Sequence, residues 1–286
     1  MILLVSPLVE GAARNEHEEW QVEGDAAELF QRYIVPLITS QWAEDLVERL
    51  APEHGERVLD IACGTGVVAQ RAAARMGGGI VVGLDLNPAM LAVAKRNGDE
   101  HQGTKVEWIE GSALDLPFPA KAFDVVACQL GLQFFPDRAR AVSEMVRVTI
   151  PGGRIGLSVF TALEDTPVHL ALVEALDRHF GPGASSTKRA EHSLSDGLEF
   201  RNLVEHAGLE DLLITRVVKT LRFPSAREYV RLQLSATPQA RLIMTRTGDG
   251  ACSLIDAVAQ DVAAALGGRE SLVSEQQCFV LLARRP

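Results

Sequence analysis

The sequence predicts an α/β fold in which a mostly parallel sheet is covered by helices on both faces. Short apolar runs alternate with helix-period segments through residues 57–160, an alternation that requires crossover connections between parallel strands. Residues 80–84 are apolar without interruption, as expected of a strand buried on both faces. A turn bearing two glycines follows the first strand directly, at residues 62–66.

The first elements are an N-terminal helical cover and a strand–turn–helix unit. Apolar residues recur at intervals of three and four through residues 25–50, the helical period. Pro36 and Ser40 predict a break between two helices there. Residues 57–61 form the first predicted strand, and residues 67–76 form the helix after the glycine turn.

The second unit repeats this arrangement. Asp85 stands at the end of the strand at 80–84, and Asn87 and Pro88 are typical of a helix N-cap and first helical residue. Asn97 and Gly98 predict the end of that helix. Strands follow at 106–110 and 123–129, and a helix capped by Asp137 extends to residue 147.

The remaining chain continues the fold with weaker signals. Residues 151–153, Pro-Gly-Gly, predict a type II turn that reverses the chain into a fifth strand at 154–160. Helices are predicted at 168–180, 198–207, 225–234 and 254–266, and strands at 212–223 and 278–284. Residues 185–193 and 247–251 are predicted loops. We expect residues 1–286 to form a single domain.

Composition restricts the class of protein. A formal net charge of −10 opposes binding to a phosphate backbone, so nucleic acid is not an expected substrate. No stretch approaches the ~20 apolar residues needed to span a bilayer. The four cysteines form no CxxC pair and suggest buried reduced thiols. The apolar N-terminus lacks the basic residue and cleavage site of a signal peptide. We therefore expect a cytoplasmic protein with a short N-terminal tail.

A ligand site is expected where the strands end. In an open parallel sheet, ligands bind beyond the C-terminal ends of the strands. The turn needs Gly64 and Gly66 so that the backbone can approach a ligand closely, and the N–H groups of the following helix attract an anion. Asp85 is placed to accept the hydroxyls of a ribose. A simpler interpretation is that the glycines only form a turn and Asp85 only caps a helix.

A nicotinamide-dependent oxidoreductase is a second interpretation. Gly64-x-Gly66-x-x-Ala69 fits the dinucleotide fingerprint, and Asp85 lies near the expected offset. Asp60 argues against it, because a carboxylate before the glycines would repel a pyrophosphate. The same carboxylate would suit the ammonium group of a methionine moiety.

Four segments together resemble class I S-adenosylmethionine-dependent methyltransferases, in the subgroup similar to ubiquinone and menaquinone biosynthesis enzymes: VLDIACGTG at 58–66, GLDLNPAML at 83–91, GSALDLPFPAKAFDVVACQLGLQFFPD at 111–137 and RVTIPGGRI at 147–155. The resemblance runs from about residue 29 to residue 159. It implies a Rossmann-like seven-stranded sheet whose last strand, at 278–284, is antiparallel. It also implies a cover at 25–50, a cofactor-binding core at 57–160, and a substrate region with a helical lid insertion and the last two strands at 161–286.

The resemblance also implies a cofactor, S-adenosyl-L-methionine, with S-adenosyl-L-homocysteine as product. Its implied contacts follow the cofactor from end to end: Asp60, Ala62, Gly64 and Gly66 at the methionine part, Asp85 and Leu86 at the ribose, Ser112 and Ala113 at the adenine, and Gln129 and Leu130 beside the methyl group. Similar proteins often have Asp where Ser112 stands, so Asp115 is an alternative adenine contact. Tyr33 is expected either to reach the methionine carboxylate or simply to pack.

The implied reaction is methyl transfer to the oxygen, nitrogen or carbon of a small molecule. Because the sulfonium is already activated, positioning is the main task of the protein. A general base is needed only if the acceptor loses a proton. The seven histidines form no metal-binding pattern, and no metal is expected. His169 and His192 are candidate bases, although solvent-facing positions are the simpler expectation, so no catalytic residue is assigned.

The acceptor pocket is expected from residues 164–195 and 225–266. Its mixed apolar residues favour an apolar or aromatic acceptor: Phe180, Phe200, Phe223, Tyr229, Leu232 and Met244. Trp20, Trp42 and Trp108 are expected to pack. Beyond the oxidoreductase, a catalytically silent regulator that binds the cofactor remains an alternative, and a homodimer is compatible with the sequence.

Overall fold

The computed structural model describes residues 25–98, 100–101, 103–243, 249–268 and 270–286, except the side chains of Glu100 and Asp249. The predicted N-terminal tail, Trp20 and Met244 lie outside the described residues. Within the described ranges, no helix combines the length and the apolar character needed to cross a membrane.

The N-terminal cover is one continuous helical segment. Helix α1 (Ala26–Leu29) passes into a π-helix (Phe30–Thr39) and then into α2 (Ser40–Leu50). The predicted break at Pro36 and Ser40 is therefore wrong. Pro36 has no N–H to donate and its ring crowds the preceding turn of an α-helix. The wider π turn, in which the Ser40 N–H donates to the Val35 carbonyl, keeps the chain helical past the proline.

The strands form one sheet. They are β1 (Arg57–Ile61), β2 (Gly79–Asp85), β3 (Glu100–His101), β4 (Thr104–Glu110), β5 (Phe123–Gln129), β6 (Thr149–Phe160), β7 (Glu210–Phe223) and β8 (Leu272–Arg284). Their order is β3-β4-β2-β1-β5-β6-β8-β7. The five strands from β4 to β6 in this order are parallel, and β8 lies antiparallel between β6 and β7.

This topology confirms the predicted fold class. All seven predicted strands form, and the last one is antiparallel to its neighbours. The two-residue β3 adds a short antiparallel edge to β4. The strand order reverses between β1 and β5, so a crevice opens at the C-terminal ends of these strands.

The remaining helices cover the sheet and its C-terminal edge. They are α3 (Val67–Met76), α4 (Pro88–Arg96), α5 (Arg138–Val148), α6 (Pro167–Phe180), α7 (Ser186–Ala190), α8 (Gly197–His206), α9 (Ala226–Ala236) and α10 (Asp249–Ala265). The predicted caps are confirmed: Asn87 accepts hydrogen bonds at the start of α4, and Asp137 does so at the start of α5.

Three local predictions need correction. Residues 249–251 of the predicted loop at 247–251 lie in α10. The predicted loop at 185–193 contains the short helix α7. The Pro-Gly-Gly turn lies inside β6 and does not precede it. Gly152 has the positive φ of 77° that a type II turn requires. Its N–H donates to the Arg285 carbonyl and the Arg285 N–H donates to the Gly153 carbonyl, so pairing with the C-terminus extends the strand through the turn.

The core has three main parts. One apolar cluster packs α5 and α8 against one face of the sheet, and another packs α2 and α3 against the other face. A third fills the space between the N-terminal cover, α6, α9 and α10. Cys63, Cys128 and Cys278 are buried and Cys252 is exposed, and all four are free thiols.

Candidate functional site

The glycine turn between β1 and α3 has a backbone that only a few residue types adopt readily. Gly64 and Gly66 have φ values of 56° and 88°, and Ala62 has a φ of 55°. A Cβ on Gly66 would lie 2.2 Å from Cη2 of Trp108, whereas a Cβ on Gly64 would meet nothing within 4 Å. Gly66 is thus required by packing of the protein itself, while Gly64 leaves space beside the turn.

Asp85 joins the end of β2 to this turn. One carboxylate oxygen accepts the Gly64 N–H at 2.7 Å, and the other accepts the Asn87 N–H at 2.8 Å. Burial raises the pKa of Asp85, and hydrogen bonds from the backbone N–H groups oppose that rise. The carboxylate is therefore held rigidly at the crevice between neighbouring strand ends.

Asp60 is a second buried carboxylate at the same place. It is 1% exposed and accepts the Ala69 N–H at 3.0 Å. Burial raises its pKa to about 8, the Ala69 hydrogen bond opposes this, and the charge of Asp85 adds to it. A cationic group bound here would relieve the cost of burying two like charges.

A cleft of ≈ 140 Å³ lies beyond the ends of β1, β2 and β4. Five predicted site residues line it: Ala62, Asp85, Leu86, Ser112 and Ala113. The other wall residues are ones to which the sequence assigned no cofactor contact: Leu84, Asn87, Gly111, Leu114, Gly131, Phe134, Phe135 and Pro136. Asp60, near the end of β1, and Gly64 and Gly66, in the turn, are not among the residues that line the cleft.

The loop after β4 is held by hydrogen bonds at both ends. The Ser112 hydroxyl accepts the Leu114 N–H at 3.1 Å, so it is engaged within its own turn. Asp115 is exposed and does not line the cleft. Farther along, the buried Glu144 accepts the Leu116 N–H at 2.9 Å and pairs with Arg147. Sequence analysis missed this anchor, whose signal is a Glu and an Arg three residues apart on one helix.

The end of β5 brings the crevice into contact with the N-terminal cover. Leu130 has a φ of 53°, and its N–H donates to the Ser158 carbonyl at 3.0 Å. Gln129 Nε2 donates to the Thr39 carbonyl at 3.2 Å, while its buried Oε1 has no partner among the described residues. A polar ligand group that donates a hydrogen bond would satisfy this oxygen.

A second cavity of ≈ 220 Å³ lies between the N-terminal cover, α6, α7, α9 and β8. Its apolar wall consists of Phe30, Ile34, Ile38, Met90, Leu130, Phe134, Phe160 and Pro238, and its polar wall of Thr39, His169, Lys188, Glu191, Gln233, Thr237 and Gln276. Phe134 lines both this cavity and the cleft. The two spaces are therefore neighbours.

Several predicted residues lie elsewhere. The Tyr33 ring packs against the guanidinium groups of Arg32 and Arg231, and Tyr33 lines neither cavity. Trp42 is buried, as expected. The aromatic and aliphatic residues expected at the acceptor pocket are not in its wall: Phe180, Phe200, Phe223, Tyr229 and Leu232 pack in the core clusters.

The expectation of solvent-facing histidines at 169 and 192 is wrong. His169 is 1% exposed and His192 is 6% exposed, because the fold places both between α6, α7 and the ends of β6 and β8. Among the described residues, no cluster of three or more His, Cys, Asp or Glu is arranged to hold a metal ion.

Comparisons with known proteins agree with this geometry. Residues 59–157 match the family model described as a methyltransferase domain. Demethylmenaquinone methyltransferase of Thermus thermophilus is 41% identical over 115 residues, 40% of this chain and 52% of that protein. A 2-phytyl-1,4-naphthoquinone methyltransferase of Thermosynechococcus vestitus is 36% identical over 42% of this chain and 53% of that protein. The chain thus spans about half the length of these curated relatives.

The likeness of the fold extends further along the chain. Phosphoethanolamine N-methyltransferase 2 of Haemonchus contortus, solved with S-adenosyl-L-methionine, superposes with a TM-score of 0.56 at 19% identity. The match covers 86% of this chain and 52% of that one. Fold, crevice geometry and relatives together confirm the resemblance to class I methyltransferases of the ubiquinone and menaquinone type.

Proposed function

We propose that this protein transfers a methyl group from S-adenosyl-L-methionine to a small-molecule acceptor by in-line displacement. The observation that carries the proposal is the meeting of two cavities at Phe134, at the reversal point of the sheet. One cavity contains the half-buried Asp85 and suits a nucleoside, and the other has a largely apolar wall and suits the acceptor. The cofactor supplies a methyl group on a sulfonium leaving group.

The residues at the crevice fit this cofactor. Asp85 and Leu86 would hold the ribose, and Ser112 and Ala113 would border the adenine. Asp60, Ala62, Gly64 and Gly66 would surround the methionine part, where a cationic ammonium group stabilises ionised Asp60. The unpartnered Gln129 Oε1 offers a further acceptor beside Leu130. Tyr33 as a carboxylate contact remains a prediction.

The acceptor class follows from the second cavity and the relatives. Its aromatic and aliphatic wall favours an apolar or aromatic molecule, and the curated relatives are named for quinone substrates. Because these relatives are methyltransferases, the oxidoreductase alternative is not favoured. The absence of a nucleic acid or membrane partner, a homodimeric state and a cytoplasmic location remain predictions.

Cofactor binding tests the first half of the proposal. Calorimetric titration with S-adenosyl-L-homocysteine should show binding to the wild type, and Asp85→Ala should weaken it at least about tenfold by removing a charged hydrogen-bond acceptor. Asp115→Ala, an exposed carboxylate on the neighbouring loop, is the matched control and should leave the affinity unchanged. Tight binding of NADH in place of the nucleoside would contradict the proposal.

Methyl transfer tests the second half. The protein is incubated with methyl-labelled cofactor and a cell extract, and labelled products are identified by mass. Label is expected in a small molecule. Label found only in protein or nucleic acid would refute the acceptor class, and cofactor binding without any labelled product would favour a silent regulator.

A further inference from the structure

A continuous line of hydrogen bonds crosses the polar wall of the second cavity. Trp42 Nε1 donates to Gln276 Oε1 at 2.7 Å, and Gln276 Nε2 lies 3.3 Å from His169 Nε2. His169 Nδ1 lies 2.9 Å from His192 Nε2, and His192 Nδ1 lies 2.7 Å from the Thr161 carbonyl oxygen. All four side chains are buried.

The groups at the two ends of this line determine which ring nitrogen of each histidine carries a proton. The Thr161 carbonyl can only accept, so His192 Nδ1 carries a proton and, in a neutral ring, Nε2 accepts. His169 Nδ1 must then donate, which leaves its Nε2 as an acceptor. At the other end the Trp42 indole can only donate, so Gln276 must present Oε1 to it and its NH₂ group to His169. Both ends assign the same tautomer to His169.

The surroundings keep His169 neutral, so its Nε2 lone pair carries no proton before an acceptor binds. Burial lowers its pKa, and the positive charge of Lys188 and the neighbouring His192 lower it further. Burial likewise lowers the pKa of His192, although the Thr161 hydrogen bond and the nearby Glu191 and Glu164 oppose this. Among the described residues, the charged groups that act on the two rings are Lys188, Glu191 and Glu164.

His169 Nε2 is the least engaged atom of the line. Its 3.3 Å separation from Gln276 is the longest link, and both His169 and Gln276 line the cavity. His192 does not line it and packs behind His169 against Phe160. A hydroxyl group entering the cavity can therefore replace the Gln276 N–H as the donor to the His169 lone pair while His192 holds the ring from behind.

We propose that His169 is the general base of the reaction and takes the proton of a phenol or enol hydroxyl on the acceptor. This rests on the proposed methyltransferase function. The acceptor O–H bond breaks and its proton goes to His169 Nε2. The electron pair left on the oxygen forms the bond to the methyl carbon, and the methyl–sulfur bond breaks with its pair retained by sulfur.

The charges around the cavity favour an acidic hydroxyl over a basic amine. Lys188, 3% exposed, pairs with Glu191 at 2.7 Å on the cavity wall. Its positive charge would oppose a protonated amine beside His169 and would favour a developing phenolate. His192 is a positioning residue. Its Nε2 accepts a hydrogen bond from the His169 Nδ1–H, and this keeps the proton of His169 on Nδ1 and the lone pair on Nε2.

The tautomers give a test that needs no acceptor. Long-range ¹H–¹⁵N spectra of protein labelled at histidine should show His169 and His192 neutral at pH 7, each protonated at Nδ1. His192→Gln and His169→Gln assign the signals. Protonation of His169 at Nε2 would overturn the proposal, because that atom would then have no lone pair to accept a proton.

A pair of probes tests the hydroxyl contact. 4-Methylphenol and its methyl ether, 4-methylanisole, differ in whether the oxygen carries the proton that His169 would bind, and the phenol stays un-ionised at neutral pH. In wild type loaded with S-adenosyl-L-homocysteine, the phenol should bind about tenfold more tightly than the ether. The preference should disappear in His169→Gln and persist in His179→Gln, which removes a histidine from the same helix at its Asp261 contact.

The outcomes separate this proposal from the proposed function. Failure of the wild type to bind S-adenosyl-L-homocysteine would refute the function itself. Cofactor binding with equal affinity for phenol and ether would overturn only the role of His169. If His169→Gln does not fold, His192→Leu, which removes the acceptor of the His169 Nδ1–H, decides the question. It should shift the His169 proton toward Nε2 and reduce the phenol preference, and an unchanged preference would overturn the proposal.

Discussion

The cleft proposed to bind the nucleoside, here the nucleoside cleft, and the second cavity, proposed to bind the acceptor and here called the acceptor cavity, are built in different ways. The cleft is formed by short turns that each follow a strand, between residues 60 and 136, and its polar contacts are mainly to backbone N–H groups. The acceptor cavity is assembled from side chains of the N-terminal cover, α6, α7, α9 and β8.

This difference predicts how each region responds to mutation. The cleft depends on backbone conformation, so residues that change the backbone should cost the most. The cavity depends on side-chain hydrogen bonds between distant segments, so removing one donor should have a moderate effect. Contacts between α6 and α10 on the outer surface of the protein should matter least.

The largest loss of stability is expected for Gly66→Ala. Alanine would have to adopt the left-handed backbone of Gly66, which its Cβ disfavours. That Cβ would also overlap the Trp108 ring. Chemical denaturation should show that the free energy of unfolding falls by about 3 kcal/mol or more. Gly77→Ala, at the other end of the same helix, has positive φ but open space and should cost about 1 kcal/mol. Equal losses would show that the Trp108 contact is unimportant.

Asp60→Asn should stabilise the protein without ligand. Burial raises the pKa of Asp60 to about 8 in the fold, from an ordinary value of 3.8. Between these values the folded state binds the proton that the unfolded state has lost, so the free energy of unfolding falls as pH rises. At neutral pH, about three units above 3.8, the substitution should raise the free energy of unfolding by up to about 4 kcal/mol and flatten this slope. Asp115→Asn is the control, and an unchanged slope would contradict the prediction.

A smaller loss of stability is expected for Trp42→Phe, at the end of the hydrogen-bonded line beside the acceptor cavity. The change leaves the buried Gln276 Oε1 without its donor, which should lower the free energy of unfolding by about 1.5 kcal/mol. Trp108→Phe makes the same chemical change, but Trp108 Nε1 has no partner among the described residues. Thermal melts should therefore show a smaller loss for Trp108. The reverse order would refute the role of the hydrogen-bonded line.

The smallest effect is expected for Asp261→Asn. Its carboxylate accepts Arg178 Nη1 at 2.6 Å and His179 Nε2 at 2.9 Å, joining α6 and α10 at the surface. Solvent screening limits such pairs, so denaturation should show a loss below about 1 kcal/mol that shrinks in high salt. A loss larger than that of Trp42→Phe would contradict this order and show that the contact between α6 and α10 is essential for stability.

The sequence alone determined the fold and the strand ends that form the nucleoside cleft. Alternation of strands and helices, the glycine turn, and the caps Asn87 and Asp137 are local features, and local backbone chemistry decides them. Because parallel strands end at one edge, Asp60, Asp85 and Ser112 were predictably brought to the same crevice.

Only the tertiary structure decided the acceptor cavity. Trp42, His169, His192 and Gln276 come from four distant segments, and no local spacing relates them. One signal was present in the sequence: Gln276 shares the buried face of β8 with Ser274 and Cys278, which marks a polar side chain in need of a partner. The π-helix could not be predicted from the sequence either. Pro36 by itself predicts a break, and packing against neighbouring helices keeps the segment helical past it. Long-range packing, which sequence periodicity does not encode, fixed these features.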